Sequence, residues 1–349
     1  MPMTLASLGW DEAYEQQLAD LKQKNLRAAR VVGEEKDHFR LQNEAGTFWG
    51  EISGHFRFTA TLRTSLPATG DWVACAPQAG TERAIIHHLF PRRTCLLRKE
   101  VGTGQGDQIL AANVDIALIT TSANLDLNPR RLERYLALVW ASGAIPLILV
   151  TKSDLAEDVP ALIASLSEVA VGVDILALSA VTGEGLDELR AQLLPAKTFV
   201  LLGSSGVGKS TLANALLGEN YLKTQAVRDG DDRGRHTTTA RYLFPLPSGA
   251  LLIDTPGMRE LGLSDHGEGV SQVFEDVEQL ATACRFSDCQ HRSEPGCAVK
   301  ANVDPSRLAS YEKLQKEMDF ERRKVDKAFA SESKKKWKQI SKSVRDMKK

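Results

Sequence analysis

The chain has 349 residues, 42% of them hydrophobic and 26% charged, with a net charge of −1 at neutral pH. That length accommodates two or three domains, and the near-neutral balance excludes a polycation, so any nucleic-acid contact must come from local patches. No stretch reaches the ~18–20 apolar residues of a membrane span. Met1 to Asp20 has no basic segment followed by an apolar run, so a cytoplasmic protein without a secretory signal is expected.

In chain order, Leu5, Leu8, Leu18, Leu21 and Leu26 among charges predict a helical extension over residues 1–30. Residues 31–100 carry short alternating runs, around Ala29–Val32, Phe48–Ile52, Phe56–Leu62 and Asp71–Cys75, separated by Gly, Asn, Asp and Pro. They predict a small antiparallel β domain, most simply a five-stranded barrel. After the Gly-, Gln- and Asp-rich stretch 102–107, residues 101–263 alternate strand and helix. Continuous apolar runs at Val114–Thr121, Ile145–Val150, Val173–Leu178, Phe199–Leu202 and Leu251–Ile253 read as strands covered on both faces. Helices are predicted over Arg131–Trp140, Pro160–Glu168, Leu186–Leu193 and Lys209–Leu217, which makes a doubly wound α/β domain. Residues 264–349 hold a Cys/His cluster and a basic helical tail.

Gly203-Ser204-Ser205-Gly206-Val207-Gly208-Lys209-Ser210 fits G-x-x-x-x-G-K-S, with the apolar strand Thr198–Leu202 before it and a helix from Thr211 after it. Glycines at these positions let backbone N–H groups turn inward around a β-phosphate at the positive end of a helix. Lys209 is suited to neutralise the β- and γ-oxygens, and the Ser210 hydroxyl to ligate Mg²⁺. Asp254-Thr-Pro-Gly257 follows the strand Leu251–Ile253. Asp254 there can hold Mg²⁺ through water, and the Gly257 N–H can reach a γ-phosphate. Between these lies Gly234-Arg-His-Thr-Thr-Thr239, where a switch loop brings a threonine to the metal. Thr237, Thr238 and Thr239 all qualify, and Thr238 stands for the three.

The base is read from Thr151-Lys152-Ser153-Asp154, at the end of the strand Ile145–Val150. Asp154 can accept both N1–H and the N2 amine of guanine, which adenine does not offer, while the Lys152 stem covers the ring. Ser179-Ala180, ending Val173–Leu178, adds a backbone N–H for guanine O6. These segments precede the phosphate loop, a permuted order that still brings every loop to the carboxyl ends of the strands. Cys284-x4-Cys289-x-His291-x5-Cys297 supplies three thiolates and one imidazole, the ligand set of a closed structural Zn²⁺ site.

Barrel, T-K-x-D, S-A, phosphate loop, G-R-H-T-T, D-T-P-G and C-x4-C-x-H-x5-C in this order resemble the ribosome small-subunit-dependent GTPase A family of bacteria, over about residues 30–300. The resemblance implies a multidomain α+β chain. Its parts are an N-terminal OB-type β-barrel, a central circularly permuted P-loop α/β GTPase domain and a C-terminal helical zinc-binding domain. It also implies a GTPase that uses GTP/GDP, Mg²⁺ and one structural Zn²⁺ in late maturation of the small ribosomal subunit, stimulated by that subunit. The partners implied are the small subunit and its rRNA, with no membrane, and a monomer is expected.

Two departures stand out. Thr151 replaces the usual Asn of the base motif, and Met258 stands where Ras-like enzymes have a water-orienting glutamine, so slow intrinsic hydrolysis is expected. His236 is the nearest group to orient the water, with Lys209 as the other catalytic residue. For RNA contact the candidates are Phe48, Trp49, Phe56, Arg57, Phe58 and Arg63 on the barrel. Basic candidates are the run Phe90–Lys99, then Lys22, Lys24 and Arg27, and the tail Lys334–Lys336.

Overall fold

The structure is a computed structural model that describes residues 3–21, 25–35, 38–60, 62–99, 107–124, 127–218, 241–254 and 267–325. It divides into two compact units, residues 1–262 and 263–349. In the first, the extension is a single 3₁₀ turn at Ala6–Leu8 and helix α1 (Glu12–Asp20), which starts where the Asp11 carboxylate accepts the Tyr14 N–H.

Five strands follow: β1 (Arg27–Glu35), β2 (His38–Asn43), β3 (Gly46–Ile52), β4 (Trp72–Pro77) and β5 (Arg83–Leu89). They pair in the order β1-β2-β3-β5-β4, and β4 returns to β1 to close the barrel; β3–β5 is its parallel pair. Ala29, Val31, Phe39, Leu41, Val73, Cys75, Ala84 and Ile86 fill the inside. Of the run Phe56–Leu62, expected as a strand, residues 56–59 instead belong to helix α2 (Gly54–Thr59). Ser53 Oγ accepts the Phe56 N–H at 3.1 Å and starts the turn. Helical spacing then separates the two aromatic rings, so that Phe56 packs on the barrel core while Phe58 is 87% exposed.

Strands β6 (Cys95–Lys99) and β7 (Asp107–Ala112) form a separate antiparallel pair that the sequence did not predict, on either side of the Gly-rich stretch. The α/β layer then runs β8 (Ile116–Ser122), α3 (Pro129–Ser142), β9 (Ile145–Thr151), α4 (Val159–Ser167), β10 (Ile175–Ala177), α5 (Leu186–Gln192), β11 (Thr198–Leu202) and α6 (Lys209–Leu217). Strands β12 (Tyr242–Pro245) and β13 (Leu251–Asp254) complete it. The order is β10-β9-β8-β11-β13-β12, parallel except for β12. Leu186 and Leu189 of α5 and Leu212, Ala213 and Leu216 of α6 cover one face, against Leu118, Leu149, Phe199, Leu201 and Leu252. Every residue of β11 is buried, which explains its unbroken apolar sequence. Strand β12 also pairs with β1 at Gly33–Tyr242, so barrel and α/β layer share one sheet.

Arg30 fastens that junction. It is buried, donating to Gly70 O at 2.7 Å, Leu8 O at 2.5 Å, Asn113 O at 3.2 Å and Thr198 Oγ1 at 3.0 Å. Burial lowers its pKa to about 10, still charged at neutral pH. Arg30→Met is expected to leave those acceptors without donors and to destabilise the first unit by about 3 kcal/mol. The denaturation midpoint measures it; a midpoint equal to wild type would show the network to be dispensable.

In the second unit, α7 (Gly267–Val273) and α8 (Glu275–Thr282) precede the Cys/His cluster's loop, and α9 (Ala298–Asn302) and α10 (Pro305–Val325) follow it. Arg307 of α10 ties it to α8 and α7, bonding Asp276 at 2.8 and 3.0 Å and Val273 O at 3.0 Å.

Candidate functional site

The parallel strands deliver the predicted loops to one end. Thr151 closes β9, Ser179 follows β10, Gly203 follows β11 and Asp254 ends β13. No side chain caps the start of α6, whose first turn carries Lys209, Ser210 and Thr211, so its backbone N–H groups form an anion-binding end.

What shapes the phosphate loop is how its carbonyls are taken up. The Lys209 ammonium donates to Gly203 O at 2.7 Å and Ser204 O at 2.6 Å. Lys152 Nζ donates to Gly206 O at 2.8 Å. The Thr151 hydroxyl lies 2.5 Å from Val207 O and 3.0 Å from Thr121 O. With four loop carbonyls drawn to cationic or hydroxyl donors, the amides are left to face an anion. Gly206 and Gly208, at φ of +85° and +96°, supply the left-handed turns this needs.

The same contacts explain the departure at Thr151: its hydroxyl ties the base loop to the phosphate loop. Lys152 adopts φ +57°, a left-handed conformation uncommon for a side-chain-bearing residue. Beside it Asp154 is exposed and Ser153 buried, with the Ser153 hydroxyl lacking a hydrogen-bond partner among the described residues. Ser179 Oγ accepts the Val181 and Thr182 N–H groups at 3.3 and 3.2 Å, turning the chain at Ala180.

The donors and amides gathered here suit a nucleotide polyphosphate. His236, Thr237, Thr238, Thr239, Gly257 and Met258 lie outside the described residues, as do Lys22, Lys24 and Lys334–Lys336. A crevice of about 480 Å³ lies at the opposite ends of the strands, beside Ile116, Ile145 and Phe199. Its charged groups already have partners, Lys197 with Asp115, Arg93 with Asp11 and Arg30 with the acceptors given above, so its volume does not mark the site.

Two basic candidates have structural partners. Arg92 makes a two-pronged bond to buried Asp71, at 2.7 and 2.8 Å, and donates to Thr64 O and Leu66 O. Arg93 pairs with Asp11 and lies 4.3 Å over the Tyr14 ring. Phe90 is buried, and Phe48 and Phe56 pack on the barrel core. Arg40 lies over the Trp49 ring, 5.3 Å from its centre. Phe58 and Arg57 stay exposed.

In the second unit the ligand atoms of Cys284, Cys289, His291 and Cys297 all lie within 4.8 Å of one another. His291 Nδ1 is 3.7 Å from Cys284 Sγ and 3.4 Å from Cys297 Sγ, and the two sulfurs are 3.9 Å apart. A tetrahedral ion with ~2.3 Å Zn–S bonds needs sulfurs about 3.8 Å apart, so the donor set fits zinc. Backbone N–H groups of Val299 and Ala298, at the start of α9, hold the Cys284 thiol below its usual pKa. Sequence reasoning missed Glu294, whose carboxylate accepts N–H groups of Gln290, Arg292 and Ser293 and folds the loop that carries His291. Its signal was an acid within the turn-forming Ser293-Glu-Pro-Gly296.

A phosphate loop between strand and helix, with base-motif loops placed earlier in the chain, defines a P-loop nucleotide hydrolase built in permuted order. The family model for the RsgA GTPase matches residues 89–264. The small ribosomal subunit biogenesis GTPase RsgA of Opitutus terrae is 42% identical over 97% of this chain and 96% of its own. Its namesake from Streptomyces coelicolor is 45% identical over 96% and 92%. YjeQ from Thermotoga maritima superposes with a TM-score of 0.62 at 26% identity, covering 84% of this chain and 98% of its own. YloQ, described as a circularly permuted GTPase, shares the fold with a TM-score of 0.59 at 24% identity, over 84% and 96%. The chain belongs to the RsgA GTPase family and is a GTP-hydrolysing enzyme.

Proposed function

We propose that this GTPase binds the small ribosomal subunit and hydrolyses GTP during the subunit's late assembly, turning over slowly alone and faster on the subunit. The observation that carries the reading is the phosphate loop whose carbonyls are held by Lys209, Lys152 and Thr151; the relatives' names supply the ribosomal setting. Residues Gly203 to Thr211 hold the phosphates. Ser210, Thr238 and Asp254 would hold Mg²⁺, which when bound would supply neutralisation of charge on the β- and γ-oxygens, and Gly257 meets the γ-phosphate. Asp154 reads guanine, assisted by Thr151, Lys152, Ser153, Ser179 and Ala180. Lys209 stabilises the transferring phosphoryl group, and His236 orients the attacking water once the subunit is bound. Full subunit-stimulated turnover in His236→Ala would contradict that last assignment.

Exposed Phe58 and Arg57 supply a ring and a cation for stacking on rRNA and pairing with its backbone. The protein acts as a cytoplasmic monomer, built as an extension that ends before Arg27, where the first barrel strand begins, a barrel to residue 100, a GTPase domain (101–263) and a zinc-binding domain with its tail (264–349).

Zinc bound by Cys284, Cys289, His291 and Cys297 folds the second unit. Amide hydrogen bonds, first that of Gln290, hold Glu294 at a pKa of about 2, below the ~4.3 of a free glutamate. Its stabilisation is therefore complete above about pH 4 and is lost as pH falls through 2. Glu294→Gln is expected to weaken zinc retention about ten-fold, as read by competition with a chelator; wild-type retention would contradict the role.

Co-sedimentation with purified small subunits in GDP, GTP and a non-hydrolysable analogue tests the whole proposal. Binding that favours the triphosphate state supports it, and equal binding in every state contradicts it.

A further inference from the structure

We propose that Thr120 is a positioning residue of the phosphate loop, clamping the point where β11 gives way to Gly203. Thr120 is the first hydroxyl after four apolar residues, Ile116–Ile119, in the middle of the sheet, and it is 2% exposed. A valine would fill that volume and suit the strand equally well. Its hydroxyl donates at 2.5 Å to Leu202 O, the last carbonyl before the loop. The β8–β11 ladder also ends there, with Leu202 opposite Ile119.

Gly203 then leaves the strand at φ +143°, and a Cβ at that position would lie 2.4 Å from both Thr120 O and Thr120 Oγ1. Thr120 therefore meets the loop twice: it bonds the residue before Gly203, and it presses on Gly203 so closely that only glycine fits. Lys209 and Thr151 restrain the loop further along, at Gly203, Ser204 and Val207. Thr120 fixes its entry, and with it the direction in which the first loop amides point.

This inference rests on the assignment of Gly203–Ser210 to the nucleotide phosphates. Its test is the affinity of the full-length protein for GDP, followed with a fluorescent GDP analogue, alongside the thermal midpoint without nucleotide. Thr120→Val is expected to weaken GDP about ten-fold, the worth of one hydrogen bond. Thr120→Ser, which keeps the hydroxyl, should return the affinity to within about two-fold of wild type, all three midpoints agreeing. Should the valine variant fold poorly, Thr120→Cys replaces the hydroxyl by a weak S–H donor without setting a methyl against Leu202 O and is expected to weaken GDP likewise. Wild-type GDP affinity in the valine or cysteine variant, with Lys209→Ala having lost binding, overturns the role of Thr120 and leaves the phosphate loop standing. Unchanged affinity with a lowered midpoint overturns it too, since the threonine is then structural only. Undiminished GDP binding by Lys209→Ala overturns the phosphate-loop assignment itself.

Discussion

Lys209→Ala is expected to lower GTP turnover by about 10²–10³-fold, the loss that follows removal of a main electrostatic stabiliser of a transition state. The side chain has two duties. Its ammonium draws Gly203 O and Ser204 O together, and in the proposed mechanism it meets charge on the β- and γ-oxygens. Alanine removes both, so GDP and GTP affinity should fall along with kcat. Phosphate release under saturating GTP separates the effects. Turnover at the wild-type rate in this variant would place the chemistry elsewhere in the molecule.

With zinc held as proposed, Cys297→Ser is expected to strip the second unit of that metal and of most of its helix. Cys297 is buried, and its sulfur accepts the Lys300 N–H at 3.3 Å, so it both caps α9 and completes the four-ligand cluster. Binding of structural zinc contributes on the order of 10 kcal/mol in small metal-dependent domains, more than a short helical unit gains by packing alone. Elemental analysis should give one zinc per wild-type chain and none in the variant. Circular dichroism should show helix lost from 267–325, with GDP binding by the first unit retained. A variant with full helix content would show that the cluster is not what folds this unit.

Both experiments bear on residues visible from spacing alone. A phosphate loop is fixed by local chemistry, because glycine at set intervals, then Lys-Ser, then a helix leaves the backbone few alternatives. For the same reason β8, β9, β11 and β13 were legible as unbroken apolar runs. The barrel was legible as a class and less so in detail. Phe39 and Leu41 of β2 alternate inward, yet the strand is short and mixed with charge, and a bulge at Ala74/Cys75 shifts the register of β5 against β4. At Phe56–Leu62 the alternating pattern was present, and a single capping hydroxyl, Ser53, turned it into a helix.

Long-range pairings were out of reach. Nothing near Arg92 in sequence says that it belongs to Asp71, or that Arg30 is spent on carbonyls from Leu8, Gly70 and Asn113. Charge runs look alike whether they face RNA or a buried carboxylate. Thr151 is the opposite case: it departs from the common motif, and the fold supplies its partner, Val207 O.

The most direct measurement is multiple-turnover GTP hydrolysis by the full-length protein, alone and with purified small ribosomal subunits, with Lys209→Ala in parallel. Slow turnover alone, acceleration by the subunit and loss of both rates in the variant are the predicted results. A rate indifferent to the subunit would contradict the account.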